Sequence, residues 1–145
     1  ACQLLEEPSL LAGGGATQIA LARHLRRFAE SFAGREQLAI EAFADALEII
    51  PRTLAQNAGL DPLDSLLQTV AEQSTHDGPN AHHIGLNVEH KGPGNMVEDG
   101  IVEPLRITRQ VLAGATEAAL SVLRIDDVLW AKQDPSVPDL PDEDA

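Results

Sequence analysis

Apolar residues recur along the chain at the spacings of helices. Ile19, Leu21, Leu25, Phe28 and Phe32 fall at mixed three- and four-residue intervals, which predicts an amphipathic helix over residues 16–32. Gly34 then stands where a left-handed C-cap is expected. Ile40, Phe43, Leu47 and Ile50 recur at three, four and three, so a second helix starting near Arg35 has one buried face. Pro51 interrupts that pattern. Its ring removes a helical N–H and crowds the preceding turn, so a kink or restart is expected before the helix runs on to residue 57 and stops at Gly59. Asp61–Pro62 is a helix start, an N-cap acid followed by proline at the first helical position. Asp64 adds a carboxylate where the helix dipole favours one, and that third helix covers residues 62–73. The longest helix is expected from Pro104 to about residue 123. Its small residues Ala113, Gly114, Ala115, Ala118 and Ala119 imply close contact with a neighbouring helix.

Between these elements the pattern changes. Residues 2–7 read as the last turns of a helix ended by Pro8. Leu10, Leu11 and Ala12 lead into Gly13–Gly14–Gly15, a triplet that admits positive φ and the close approach of another group. Residues 74–95 are rich in Gly, Pro, Asn and His. Within them residues 84–88 form a candidate short strand and Gly92-Pro93-Gly94-Asn95 a candidate turn. Residues 96–99 suit a single helical turn closed by Gly100, and residues 101–103 a short extended piece. Residues 124–130 suit a C-terminal edge strand. Residues 134–145 hold three prolines and five acids and are expected to be a disordered, solvated acidic tail. There are no internal repeats. The fold class that follows is mainly α, a helical bundle with a short β-hairpin and an edge strand.

Composition narrows this further. Hydrophobic residues make up 43% of the 145, aromatics only 3%, so Leu, Ile, Val and Ala must fill the core. That mix suits packed helices better than a β-sandwich. The formal net charge is −13, which repels nucleic acid and anionic membranes. Lys91 and Lys132 are the only lysines. Two readings remain, an ordinary acidic soluble protein and one adapted to a high-salt cytoplasm where screening weakens self-repulsion; the scarcity of lysine favours the second. A lone Cys2 excludes an intramolecular disulfide and a Cys-rich zinc site. No apolar run approaches the roughly 20 residues of a membrane span, and no secretory signal opens the sequence. The first residue is Ala, so the start reads as processed or cut. A cytoplasmic location is the expectation.

Side chains with chemistry mostly have plain explanations. His76, His82, His83 and His90 match no zinc spacing and lie in a polar loop, so no metal site is expected. Glu36, Glu41, Asp45 and Glu48 read as a solvated helix face rather than a catalytic carboxylate pair. Arg35 and Arg52 are candidates to hold a carboxylate across the helix packing.

Several blocks, in order, resemble the group II chaperonins, the thermosome and CCT family of archaea and eukaryotes. Gly34-Arg-Glu-Gln-Leu-Ala-Ile-Glu-Ala-Phe-Ala-Asp-Ala-Leu-Glu48, Ile49-Ile-Pro-Arg-Thr-Leu54 and Asn57-Ala-Gly-Leu-Asp-Pro62 resemble the family signature. Leu11-Ala-Gly-Gly-Gly-Ala-Thr17 resembles its glycine-rich segment. Gly100-Ile-Val-Glu-Pro-Leu105, Ala115-Thr-Glu-Ala-Ala119 and Leu123-Arg-Ile-Asp-Asp-Val128 resemble its C-terminal blocks. The resemblance covers about residues 1–132. It implies an ATP-dependent protein-folding subunit of a double ring, with other chaperonin subunits and non-native clients as partners, and neither nucleic acid nor membrane. Residues 1–9 would end an intermediate-domain helix, and residues 10–132 would be the C-terminal half of the equatorial ATP-binding domain. The segment 125–128 would help join neighbouring subunits.

The resemblance also implies a nucleotide site, with ATP or ADP and Mg²⁺ as cofactors. Gly14 would contact the nucleotide, Asn87 and Val88 would lie beside the adenine, and Ile101 and Glu103 would close over adenine and ribose. The chemistry suits these residue types: glycine admits a ligand against the backbone, Asn offers a donor and an acceptor, and a carboxylate accepts from ribose hydroxyls. The family's phosphate loop, Gly-Asp-Gly-Thr-Thr, does not occur in the sequence. Its water-positioning Asp would lie before residue 1. No catalytic residue is therefore expected here, and phosphate and metal contacts fall outside this chain. The alternative is a stand-alone helical protein-interaction remnant that binds no nucleotide.

Overall fold

The computed structural model describes residues 9–76, 78 and 80–125. Chain contacts divide the molecule into two units, one ending at Arg109 and the other beginning at Gln110. The described part of the second unit is the remainder of one helix and the two residues after it. The expected helix end at residues 2–7, most of the edge strand at 124–130 and the tail at 134–145 lie outside the described residues.

The elements in order are β1 (Leu10–Ala12), α1 (Ala16–Ala29), α2 (Arg35–Asn57) and α3 (Pro62–Thr75). A 3₁₀ turn follows at Ala81–His83, then β2 (Ile84–Asn87), β3 (Gly92–Asn95), β4 (Val102–Pro104) and α4 (Leu105–Leu123). The mainly helical class expected from the sequence is what the chain forms. Asp61 caps α3 as anticipated: its Oδ1 accepts from the amides of Leu63 at 2.9 Å and Asp64 at 2.8 Å. Pro51 sits inside α2, which is assigned as one helix rather than two. Gly34 does have positive φ, at 74°, but its ψ of −135° is not that of a left-handed cap, and it serves as the N-cap of α2.

The buried faces differ from those the large apolar residues suggest. On α1 the buried positions are Ala16, Gln18, Ile19, Ala22 and Ala29, while Leu21 and Phe28 are exposed. On α2 they are Ala44, Leu47, Glu48, Pro51 and Ala55, while Phe43 and Ile50 are exposed. The physical reason is close packing. Alanines let helix backbones approach, so the small-residue stripe faces the neighbours and larger side chains are left outside. On α4, Ala113, Gly114, Ala115, Ala118 and Ala119 are exposed.

Two small antiparallel sheets complete the fold. β1 pairs with β4, Leu11 opposite Glu103 and Ala12 opposite Val102, a strand at residues 10–12 that periodicity missed because three residues carry no alternation. β2 pairs with β3, Ile84 opposite Asn95 and Asn87 opposite Gly92. Gly92–Asn95 is therefore the returning strand and not the turn. The reversal occurs at residues 88–91, where Lys91 takes a φ of 55° and the Asn87 side chain accepts from the amides of Glu89 and His90 at 2.9 and 3.1 Å. The single turn at 96–100 is as expected, closed by Gly100 at φ 73°.

Gln73 joins three of these elements from the end of α3. Its Nε2 donates to the carbonyls of Ala16 at 3.0 Å and Ile84 at 2.7 Å, and the residue is 1% exposed. It shares a stripe with Leu66 and Thr69, at three- and four-residue spacing, and that register was its only signal in the sequence.

Candidate functional site

The glycine triplet is packed against three different elements. Gly13 donates its N–H to the Ile101 carbonyl at 2.9 Å, and a Cβ there would meet the Ile101 side chain at 2.9 Å. Gly14, at φ 60°, accepts from the Leu86 amide at 2.8 Å. A Cβ on Gly14 would sit 2.4 Å from the Met96 sulfur and 2.8 Å from the Leu86 carbonyl oxygen. A Cβ on Gly15 would lie 2.7 Å from Pro51 Cβ. The triplet is thus the junction where β2, the 96–101 turn and the middle of α2 come together. Pro51 belongs to that junction: a proline has no amide hydrogen, and its compact ring seats the glycine backbone.

Beside the junction lies a cavity of about 520 Å³, inside the roughly 300–1,000 Å³ usual for small-molecule sites. Gly14, Val88, Ile101 and Glu103 line it, with Ile50 and Thr53 of α2 on its wall. These residues come from four stretches of sequence and meet because β1 pairs with β4 and β2 abuts the triplet. Val88 and Ile101 are each 37% exposed, large apolar side chains offered to the opening rather than to the core. Glu103 is half-buried, and its Oε2 accepts from the Thr108 hydroxyl at 3.2 Å. The lining is chiefly apolar with a carboxylate at one edge, which suits a flat apolar group carrying hydroxyls.

Asn87 is placed differently. It is 2% exposed, does not line the cavity, and its Nδ2 donates to Asp99 Oδ2 at 2.7 Å. Its Oδ1 accepts from the amides of residues 89 and 90, so the side chain closes the hairpin turn. What it positions is Val88.

Glu48 departs from the solvated face expected of these acids. It is 3% exposed, held by Arg26 from α1 and by Arg52 from its own helix at 3.1 Å. The reason is that α1 runs along this face of α2 and brings Arg26 over it. Asp45 adds a second contact to Arg26 at 2.8 Å. The hydrogen bond to Glu48, then that to Asp45, hold the Arg26 guanidinium above its ordinary pKa. Arg52 thus holds a carboxylate within its helix, while the bond across the packing is made by Arg26, which sequence reasoning missed.

The histidines stay apart from this cavity. His76 pairs with Glu72 at 3.2 Å, and the rings of His82 and His83 meet edge to face at 4.4 Å. Burial, and then the neighbouring His83, push the His82 pKa below the usual imidazole value. No group of three metal-ligating side chains converges among the described residues. No helix among them is long and apolar enough to cross a membrane.

Comparison with known proteins agrees on one relationship. A family model described as the TCP-1/cpn60 chaperonin family matches residues 1–133. A thermosome subunit of Methanocaldococcus jannaschii is 53% identical over 129 residues, covering 89% of this chain and 23% of that protein. Thermosome subunit 1 of Haloferax volcanii is 54% identical over 127 residues, covering 88% of this chain and 22% of that one. Among solved structures, the open-state monomer of a group II chaperonin from Methanococcoides burtonii superposes with a TM-score of 0.74 at 40% identity, covering 80% of this chain and 28% of the other. The chain thus spans less than a quarter of the length of these curated relatives.

Proposed function

The chain belongs to the TCP-1/cpn60 chaperonin family, and from that premise we propose that it is the C-terminal half of an equatorial domain in an ATP-dependent protein-folding subunit, supplying the adenine and ribose side of the nucleotide site. The observation that carries this reading is the cavity where Gly14, Val88, Ile101 and Glu103 meet. Val88 and Ile101 offer apolar faces to the base. Glu103 has one oxygen turned to Thr108 and offers the other to ribose hydroxyls, an acceptor–donor match that charge strengthens. Gly14 keeps the backbone close to the ligand at a point where any side chain would collide with Met96. Asn87 acts through the turn it closes, setting Val88 at the rim.

Bound ATP with Mg²⁺ would bring the phosphoryl group to be transferred; this chain's residues bind and orient the adenosine end and exclude water from it. No phosphate loop stands in residues 1–145, so phosphates, metal and attacking water fall to other parts of the subunit. The same reading assigns the partners: sister subunits of a ring and non-native client proteins, in the cytoplasm.

The test is a chimera in which this chain replaces the matching C-terminal part of the Haloferax volcanii subunit. Rings visible by electron microscopy, with ATP turnover, are expected. Folded chimeric subunits that neither assemble nor hydrolyse ATP would sink the proposal and leave the protein-interaction remnant standing.

A further inference from the structure

A second cavity, of about 330 Å³, lies between α1, the end of α3 and the 3₁₀ turn, and shares no lining residue with the first. Arg23, Arg27, His76 and His82 line it, with Gln73 and Ser74. The chain has only ten Lys and Arg and five His against 23 acids, so four of fifteen cationic or titratable bases gather at one opening of an acidic molecule. Arg23 and Arg27 stand four apart on α1, where like charges repel. Neither side chain has an ion pair or hydrogen bond among the described residues, whereas that of Arg26 between them is held by two carboxylates. His76 brings Glu72 with it, so among the described lining residues the two arginines are the cations without a carboxylate partner.

Gln73 adds a second, independent feature. Its amide nitrogen is taken by two main-chain carbonyls, which fixes the orientation of the amide, and its buried Oε1 has no partner among the described residues. A ligand matching both features carries negative charge for the arginines and a hydroxyl hydrogen for that oxygen. Monohydrogen phosphate has both, and so does a phosphate monoester whose organic group carries a hydroxyl; sulfate at neutral pH has no hydrogen to donate. At roughly 30 Å³ per water, the cavity holds about ten waters' volume, enough for a phosphate with a small group attached.

We propose that Arg23, Arg27, His82 and Gln73 form a binding site for a phosphate-class oxyanion, free or as a small ester, separate from the cavity of Gly14 and Glu103. The arginine forks supply charge-assisted hydrogen bonds, and the 3₁₀ turn sets the His82 imidazole at the opening. The proposal does not depend on nucleotide binding at the first cavity.

The test is calorimetric titration of the 145-residue chain with inorganic phosphate, ribose 5-phosphate and sulfate at matched ionic strength. Saturable binding of phosphate at one site per chain is expected, weaker for sulfate. Arg23→Gln and Arg27→Gln should each weaken it about tenfold, the scale of one charge-assisted hydrogen bond. A charge-matched control, Arg35→Gln with Arg124→Gln, should leave binding unchanged, and circular dichroism confirms that each variant keeps its helices. Tighter binding of ribose 5-phosphate than of phosphate identifies an ester as the ligand, and the reverse identifies the free anion. An absence of saturable binding, an equal loss in the control, or sulfate binding as tightly as phosphate would overturn the assignment.

Discussion

Gly14 shows how far one residue can be read from sequence. A glycine triplet announces positive φ or close approach, and both occur here, but only the structure says that the approaching atoms are the Met96 sulfur and the Leu86 carbonyl. Gly14→Ala places a methyl group against both and forces a left-handed backbone on alanine. It should cost about 2–4 kcal/mol, read as a lower midpoint in denaturant unfolding. Glu48 makes the opposite case. Nothing in its acidic neighbourhood signalled burial, because the cause, Arg26, lies 22 residues earlier on another helix. Glu48→Ala leaves two guanidinium groups without their carboxylate. Since those side chains are 40% and 43% exposed, water compensates in part and the loss should be about 1–3 kcal/mol, measurable as a lower Tm. His82 gives a pH prediction. Its folded pKa lies below the ordinary 6.5, so the unfolded chain binds the proton more readily. Its contribution to stability is present above that value and falls away as pH drops below it. In an NMR titration without phosphate, the His82 ring should have its midpoint below 6.5.

At the scale of elements, the helix start at Asp61–Pro62 was legible, while the stop at Gly34, the start at Pro104 and the facing of the helices were not. Asp61–Pro62 fixed the beginning of α3, and Asp61→Ala should cost about 1 kcal/mol through loss of the two amide contacts its carboxylate accepts. The helix midpoint of a thermal melt would report it. Pro51 looked like an interruption because its local effect on a helix is unfavourable; tertiary contact with Gly15 decides its place instead. The hairpin was anticipated but shifted by four residues. Gly-Pro-Gly-Asn has the composition of a turn, yet Asn87 closes the reversal earlier, and the small residues then let the strand run beside Met96 and Asp99. Facing failed for a simple reason: alanine stripes bury more backbone than leucine stripes when helices pack closely, and periodicity counts large side chains. The cavity residues themselves were named through family resemblance. Periodicity alone carries no signal that Val88, Ile101 and Glu103 meet, since two short strand pairs bring them together.

For the whole molecule, charge and exposed apolar surface point outward. Leu38, Ile49, Leu63 and Leu67 are each more than half exposed, apolar surface that the remainder of the proposed subunit would cover. With a net charge of −13, self-repulsion opposes compaction, and salt screens it. The isolated chain should therefore melt at a higher temperature in molar salt than in dilute buffer, as seen by circular dichroism. A salt-independent transition would count against adaptation to high salt.

The proposed nucleotide site depends most heavily on Glu103 holding a ribose at the mouth of the first cavity. In the chimeric subunit, affinities for ATP and for its 2′,3′-dideoxy analogue should be measured with Glu103 intact and with Glu103→Ala. The substitution should weaken ATP by about tenfold, the size of a lost charge-assisted hydrogen bond, and leave the analogue, which has no ribose hydroxyls, unchanged. Equal effects on both nucleotides, or none on either, would contradict the site.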